Sequence, residues 1–252
     1  MTRIWHQSVN ELAHLTAYKT ALETHALNIL QGEATVEVHG LAPGTYGGAS
    51  PSDALGDALT YHRCLAQVID LAIRAEREGY DAFVIGSFSE PFLREIRTAV
   101  DIPVVSLTES ALLTSLTLGR GIGLISNAPN VQWMARSSVR KHALGDRVVD
   151  VVSLDPAVDE FELVAAYSDP APVVENFVAA ARRLIAQGAD VIVPAEGVLA
   201  RLLSQAGLVR IDRTPVVDVF AAAWAQALML VRLWKSTGLR VGREWEYRRS
   251  TK

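Results

Sequence analysis

The chain has 252 residues, enough for one large α/β domain or two of about 120 residues each. Half of the residues are hydrophobic and 21% are charged, which is typical of a folded enzyme and excludes a disordered or coiled-coil protein. A net charge of −4 argues against nucleic acid or an anionic membrane as a partner. No apolar run approaches the ~18 residues of a membrane span, and the N-terminal residues lack the apolar core of a signal peptide. We therefore expect a cytoplasmic protein.

Short β-rich segments alternate with helical patterns along the chain. Strands are predicted at residues 3–6, 35–39, 82–87, 104–106, 121–126, 148–152, 190–194 and 215–217. Helices are predicted at residues 11–30, 61–78, 92–100, 109–118, 131–142, 172–187, 198–205 and 218–236. This alternation predicts parallel sheets with helices on both faces, in which sites lie at the carboxyl ends of the strands.

Two segments about 110 residues apart have the same construction, an apolar strand that runs into a polar turn. They are residues 79–91 and 188–197, and their superposition aligns Ser87 with Glu196. In both copies an alanine-rich helix with arginines precedes the strand, and a helix follows the turn. The match indicates an internal duplication that places Ser87 and Glu196 at equivalent strand ends.

The duplication predicts two pseudo-symmetric α/β halves, each with a parallel sheet, and a site in the cleft between them. The first half covers residues 1–101, and the second half covers residues 102–214. If the halves face each other across a pseudo-twofold axis, Ser87 and Glu196 look into one cleft.

Neither a metal nor a cofactor is expected. The single cysteine, Cys64, lies on an amphipathic helical pattern in which a small apolar packing residue is typical. One cysteine excludes a cysteine-based zinc site, and the six histidines have no metal-ligand spacing. The pattern Gly119-x-Gly121-x-Gly123 precedes a strand instead of following one, so no helix N-terminus can meet a pyrophosphate there.

Two segments of the first repeat carry a family resemblance. Residues 79–93 read Gly-x-Asp-Ala-x-Val-Ile-Gly-Ser-Phe-x-Glu-Pro-x-Leu, and residues 103–111 read Pro-Val-Val-Ser-Leu-Thr-Glu-Ser-Ala. Together with the duplication, they resemble the aspartate/glutamate/hydantoin racemase superfamily over nearly the whole chain. The resemblance implies two flavodoxin-like halves with a small-molecule substrate bound between them. It also implies that a C-terminal helix within residues 215–252 returns to complete the first half.

The resemblance also implies a chemistry from which this chain departs. Typical members carry one cysteine at each repeated strand end. One thiolate removes a proton from a carbon next to a carboxyl or amide carbonyl, and the opposite thiol returns a proton on the other face. Here Ser87 and Glu196 stand at the two positions, and Cys64 lies in a helix far from both.

A serine and a glutamate at these positions favour different roles. A serine hydroxyl is too weak an acid to transfer protons unaided near pH 7, but it can donate a hydrogen bond to a developing oxyanion. A glutamate becomes a useful base when its pKa is raised by burial, although a helix that begins beside it lowers the pKa. We therefore predict that Glu196 is the general acid/base and that Ser87 stabilises the oxyanion.

Other polar residues at strand ends and in turns are predicted to bind the substrate. They are Gln7, Ser8, Tyr46, Ser89, Thr108, Ser126, Asn127 and Gly197. Tyr46 belongs to a loop at residues 42–56, rich in Gly, Pro and Ser, that is either a mobile lid or an ordinary long connection.

Four functions are compatible with these residues. The favoured one is an isomerase or lyase that acts on a small carboxylate or cyclic amide with Glu196 as its single base. A true amino-acid or hydantoin racemase needs a second proton donor, for which His6, His39 or a water are candidates. A hydrolase of a small amide or imide and a non-catalytic binding protein are the other two. Self-association into a homo-oligomer is left open.

Overall fold

The computed structural model describes residues 1–249 of the chain, and its strands and helices alternate as the sequence predicts. The strands are β1 (Thr2–Ser8), β2 (Ala34–His39), β3 (Ala82–Gly86), β4 (Val104–Ser106), β5 (Ile122–Ser126), β6 (Val148–Ser153), β7 (Val191–Pro194), β8 (Arg210–Ile211) and β9 (Thr214–Pro215). The helices are α1 (Thr16–Leu30), α2 (Pro51–Ala54), α3 (Ala58–Leu65), α4 (Gln67–Arg77), α5 (Leu93–Ala99), α6 (Leu107–Leu118), α7 (Pro129–Lys141), α8 (Glu160–Ala165), α9 (Ala171–Ala186), α10 (Gly197–Gln205) and α11 (Val219–Thr237), with a 3-10 turn at Gly145–Arg147.

The strands form two parallel sheets of corresponding order. The first sheet runs β2-β1-β3-β4 and the second runs β6-β5-β7, with every pair parallel. All residues of β3, β5 and β7 are buried, as expected when helices cover both faces of a sheet. The predicted α/β fold with two parallel-sheet halves is confirmed.

The C-terminal helix α11 returns to the first sheet, where it packs on β1, β3, β4 and α6. Asp218 caps its N-terminus by accepting a hydrogen bond from the Ala221 N–H at 3.0 Å. Its buried face includes Phe220, Trp224 and Val231. The boundary between the halves at residues 101 and 102 stays a prediction.

Helix α1 begins five residues later than predicted, because Glu11 is engaged elsewhere. Its carboxylate accepts hydrogen bonds from the backbone N–H groups of Gly44 and Tyr46, both at 2.6 Å. These bonds fix the loop at residues 42–56 against β1. The loop itself contains the short helix α2, which was not predicted.

Two further predicted elements differ from the structure in their bounds. The helix expected at residues 61–78 is divided into α3 and α4, since the Gln67 side chain donates to the Cys64 carbonyl at 2.7 Å beside the junction. The strand expected at 215–217 is replaced by the antiparallel pair β8–β9, and Val216 alone bridges to Ile192 of β7.

No helix within residues 1–249 is both long and apolar enough to cross a membrane.

Candidate active site

The two predicted catalytic residues, one from each sheet, line the same small cavity. Ser87 directly follows β3, and Glu196 comes two residues after the end of β7. Both line a cavity of about 40 Å3, together with the predicted binding residues Ser89 and Gly197. Because parallel strands end at the same edge of their sheets, the carboxyl ends of the two halves supply the polar walls of this cavity.

Glu196 is a buried carboxyl that caps a helix. It adopts an extended backbone conformation before α10, and its two oxygens accept hydrogen bonds from the N–H groups of Val198 at 2.9 Å and Leu199 at 2.6 Å. Burial, followed by the negative charge of Glu160, raises the pKa of Glu196 to about 8, whereas the N–H bonds lower it. Burial therefore outweighs the helix end, and Glu196 can bind or release a proton near neutral pH.

Glu160, the first residue of α8, is a second carboxyl in the cavity and is only 3% exposed. Its Oε2 accepts hydrogen bonds from the Ser52 hydroxyl at 2.9 Å and the Ser52 N–H at 3.2 Å, and Asn127 Nδ2 lies 3.5 Å from its Oε1. Burial raises the pKa of Glu160 as well. Two buried carboxyl groups that repel each other do not both ionise readily, so the pair with Glu196 tends to retain one proton.

Glu160 was not predicted from the sequence as a site residue. Asp159 and Glu162 form a capping box around it, which is typical of a solvent-exposed helix start. The available signal was the position of Glu160 on the connection that follows the carboxyl end of β6, at the same edge of the second sheet as Glu196.

The Ser87 hydroxyl is oriented by its neighbour in the turn. Ser87 Oγ lies 2.9 Å from Ser89 Oγ and accepts a hydrogen bond from the Ser89 N–H at 3.2 Å. When the Ser89 hydroxyl also donates to Ser87, the Ser87 proton is available to a ligand in the cavity. The arrangement is therefore suited to donating a hydrogen bond to an oxygen.

The turn after Ser87 is anchored by Glu90, whose side chain is fully buried. Its carboxylate lies 2.6 Å from Lys141 Nζ and 2.8 Å from His142 Nε2 at the end of α7, and it accepts a hydrogen bond from the Ser106 hydroxyl. Burial alone would raise the pKa of Glu90, but these partners lower it. Glu90 and Phe92 both have positive φ values, 49° and 53°, which these contacts hold in place.

The remaining predicted binding residues are not among those that line this cavity, and each makes a hydrogen bond within the protein. Gln7 donates to the Ser8 carbonyl at 2.8 Å, Ser8 Oγ accepts from the Asn10 N–H at 3.1 Å, and Tyr46 donates to the Val9 carbonyl at 2.6 Å. Thr108 donates to the Phe88 carbonyl at 2.9 Å, Ser126 to the Ala128 carbonyl at 3.1 Å, and Asn127 to the Val158 carbonyl at 3.0 Å. Their role in substrate binding stays a prediction.

The two histidines considered as second proton donors lie outside the lining of the cavity. His6 is completely buried, which lowers its pKa to about 3, and its Nδ1 accepts a hydrogen bond from Trp224 Nε1 at 3.4 Å. His39 stacks on Trp5 with ring centroids 3.5 Å apart. Cys64 is also remote, with its thiol directed to the Thr45 carbonyl at 3.3 Å.

Within residues 1–249, no group of three or more His, Cys, Asp or Glu side chains is arranged to hold a metal ion.

Comparison with known proteins identifies the family. The profile of the Asp/Glu/hydantoin racemase family matches residues 15–227. The chain belongs to this family. The resemblance noted from the two segments of the first repeat is thereby confirmed.

Members and structural neighbours of the racemase family align with much of the chain. A hydantoin racemase of Pseudomonas sp. (strain NS671) is 26% identical over 177 residues, which cover 68% of this chain and 66% of that relative, slightly under two thirds of its length. An allantoin racemase from Klebsiella pneumoniae is 19% identical with a TM-score of 0.77, over 100% of this chain and 95% of the other. A variant of arylmalonate decarboxylase is 17% identical with a TM-score of 0.60, over 96% of each chain. These two structures share the fold.

Proposed function

We propose that this racemase-family chain is a cofactor-independent isomerase or lyase that acts at a carbon next to a carboxyl or cyclic amide carbonyl of a small molecule. The observation that carries the proposal is the pairing of Ser87, a hydrogen-bond donor, with Glu196, a carboxyl with a raised pKa, in one buried cavity. Similarity to a hydantoin racemase supports a substrate with an acidic C–H group beside a carbonyl.

The proposed reaction needs one base and one hydrogen-bond donor. The Glu196 carboxylate takes the proton from the carbon, the electron pair of the broken C–H bond forms a C=C bond, and the carbonyl π pair moves to oxygen. Ser87 donates a hydrogen bond to that oxygen as its negative charge develops. In a proton-shift isomerisation, the protonated Glu196 delivers the proton to a different carbon of the conjugated intermediate, which yields the isomer. Its return to the same carbon on the same face only exchanges the proton with solvent. In a decarboxylation, loss of CO2 creates the same enolate, which Glu196 then protonates.

A true racemase is the second candidate, favoured by the similarity to a hydantoin racemase. It requires a proton donor on the face of the substrate opposite Glu196. Neither His6 nor His39 is among the residues that line the cavity, so a water held by Ser87 is the candidate for this role.

Exchange in deuterated water separates the two candidates. Enantiopure 5-methylhydantoin and methylmalonate are incubated with the enzyme and followed by NMR and chiral chromatography. A single base is expected to place deuterium at one stereochemical position without forming the mirror image. Racemisation with exchange from both faces would instead establish the second candidate. A ring-opened product would indicate a hydrolase, and the absence of any exchange or product would indicate a binding protein.

Substitutions test the two roles. Glu196→Gln keeps the shape but removes the base, so the rate should fall by at least about 10²-fold. Ser87→Ala should cost about 10- to 10³-fold and leave the stereochemistry unchanged, whereas Ser87→Cys should allow some racemisation. Glu95→Gln, at an exposed position of α5, is the control and should keep wild-type activity. Unchanged activity of Glu196→Gln would rule out the proposed base.

A further inference from the structure

A second and larger cavity adjoins the first. Its volume is about 520 Å3, and it lies between the α2–α3 segment and α7. Leu55, Ser89 and Met134 line both cavities, so the larger one opens beside the turn that carries Ser87. A ligand bound beside Ser87 therefore has the larger cavity next to it.

The two volumes indicate how a ligand would divide between the cavities. A water needs about 10–15 Å3 of such space, so the 40 Å3 beside Ser87 and Glu196 takes only a few atoms. By contrast, 520 Å3 lies within the range of about 300–1,000 Å3 that is typical of small-molecule sites. A ligand whose carbonyl reaches Ser87 must therefore place most of its remaining atoms in the larger cavity.

The walls of the larger cavity are mainly apolar and aromatic. Leu55, Tyr61, Trp133 and Met134 contribute to them, and Trp133 is 66% exposed although it is a large aromatic residue. The Tyr61 hydroxyl donates to the Ser89 carbonyl at 3.2 Å, which leaves its ring as the surface available to a ligand. Such walls favour a flat apolar group.

The polar groups of the larger cavity already have partners. Lys141, the one charged residue among those that line it within residues 1–249, forms an ion pair with Glu90 at 2.6 Å. Ser138 donates to the Phe88 carbonyl at 3.0 Å, and Asn130 Nδ2 donates to the Ser52 carbonyl at 3.3 Å. The charge of Lys141 is compensated by Glu90, so a charged substituent would lose its hydration there without gaining a counter-ion.

We infer that the substrate carries a bulky, uncharged aromatic group on the reacting carbon, bound between α3 and α7 against Tyr61, Trp133 and Met134. The inference rests on the proposed function for the placement of the reacting end. The larger cavity then selects the side group, while the smaller one performs the chemistry.

The test compares substrate size with a variant that fills the larger cavity. Ala58 is exposed at the start of α3 and lines the cavity, so Ala58→Trp fills it without disturbing the core. Leu59→Trp is the matched control, because Leu59 is the next residue, is 55% exposed and lies outside the lining. The probes are 5-benzylhydantoin, 5-methylhydantoin, benzylmalonate and methylmalonate, and their dissociation constants are measured by titration calorimetry.

Wild type and Leu59→Trp are expected to bind the better benzyl probe at least about tenfold more tightly than its methyl counterpart. Ala58→Trp should remove that preference and leave the methyl probe within about twofold of wild type. Equal binding of benzyl and methyl probes, equal effects of the two variants, or no binding of any probe would overturn the inference. Light scattering provides a second measurement. If Ala58→Trp changes the oligomeric state but not the binding of the probes, the surface binds a second copy of the chain and the inference is overturned.

The same probes separate this inference from the proposed function. Benzyl selectivity that depends on Ala58, without proton exchange at the reacting carbon or loss of CO2, would support the larger cavity as a binding site and reject the proposed chemistry. Turnover without benzyl selectivity would support the chemistry and reject the inference.

Discussion

At the scale of single residues, the protonation state of Glu196 depends on a balance between hydrogen bonds, burial and charge. Its neighbours in sequence do not determine this balance. The start of α10 supplies N–H groups that favour the carboxylate, whereas burial and Glu160 favour the carboxylic acid. Burial outweighs the N–H groups, and the pKa rises to about 8. A group with this pKa exchanges protons near neutral pH, which an ordinary surface glutamate does poorly.

The raised pKa of Glu196 predicts how stability depends on pH. The folded protein holds a proton that the unfolded chain releases, so this contribution is complete below the ordinary pKa of 4.5 and is lost as pH rises through about 8. Between about pH 5 and pH 8.5, the free energy of unfolding of wild type should fall by about 2–4 kcal/mol relative to Glu196→Gln. Urea unfolding of both proteins across this range measures the difference, and parallel curves would contradict the raised pKa.

Glu160 should tune Glu196 without contacting the reacting carbon. Glu160→Gln removes the negative charge but keeps an oxygen for Ser52, so the pKa of Glu196 should fall. Because the base must be ionised, the acid limb of the kcat/KM profile should move to lower pH. Glu162→Gln, two residues further along α8 and exposed, is the control. An acid limb unchanged in Glu160→Gln would exclude this electrostatic role.

At the scale of elements, the turn between β3 and α5 depends on a helix of the other half. Glu90 connects this turn to Lys141 and His142 at the end of α7, and Ser138 of the same helix donates to the Phe88 carbonyl at 3.0 Å. Helix α7 therefore fixes the segment that orients Ser87. It also forms a wall of the larger cavity, so one element contributes to both parts of the site.

Loss of the Glu90 charge should loosen this connection. Glu90→Gln leaves Lys141 and His142 without their carboxylate, which should cost about 2 kcal/mol of stability, less than for a fully buried pair because Lys141 is partly exposed. Since the pKa of Glu90 is lowered, this contribution is present above its ordinary pKa of 4.5 and disappears as pH falls through the lowered value. Chemical denaturation at neutral and acid pH tests the prediction, with Glu95→Gln as control. An equal loss at both pH values would refute it.

At the scale of the whole molecule, the first half depends on a helix from the end of the chain. Helix α11 buries Phe220, Trp224 and Val231 against the first sheet and α6, and Trp224 is completely buried beside His6. The halves are therefore not independent units of sequence, although each has its own sheet. Residues that follow β3 and β7 meet in one cavity, and the chain returns from the second sheet to the first at α11.

Truncation of the buried tryptophan measures this dependence. Trp224→Ala should lower the free energy of unfolding by about 3–5 kcal/mol, because it removes a large buried side chain and leaves a cavity. Trp245→Ala, at a residue that is 93% exposed, should change it by less than about 0.5 kcal/mol. Thermal and urea unfolding provide the comparison. Similar small effects of both substitutions would show that α11 contributes little to the first half.

Much of the fold and the centre of the candidate site could be predicted from the sequence, because both depend on local patterns. Apolar runs that end in polar turns gave the parallel strands. The repeat placed Ser87 and Glu196 at equivalent strand ends, and Ser89 and Gly197 follow from the same turns. The family resemblance rested on the first of these repeated turns and could be recognised without a structure.

The tertiary structure alone decided the features that depend on contacts between distant residues. Hydrogen bonds to Ser52, 108 residues away in sequence, hold Glu160 at the cavity. Helix α1 starts later than predicted because Glu11 binds a loop 33 and 35 residues further along the chain. The larger cavity lies between α3 and α7, which are distant in sequence and belong to different halves. Likewise, the pKa of Glu196 follows from its burial and from Glu160, since desolvation and charge repulsion depend on proximity in space and not on position in the chain.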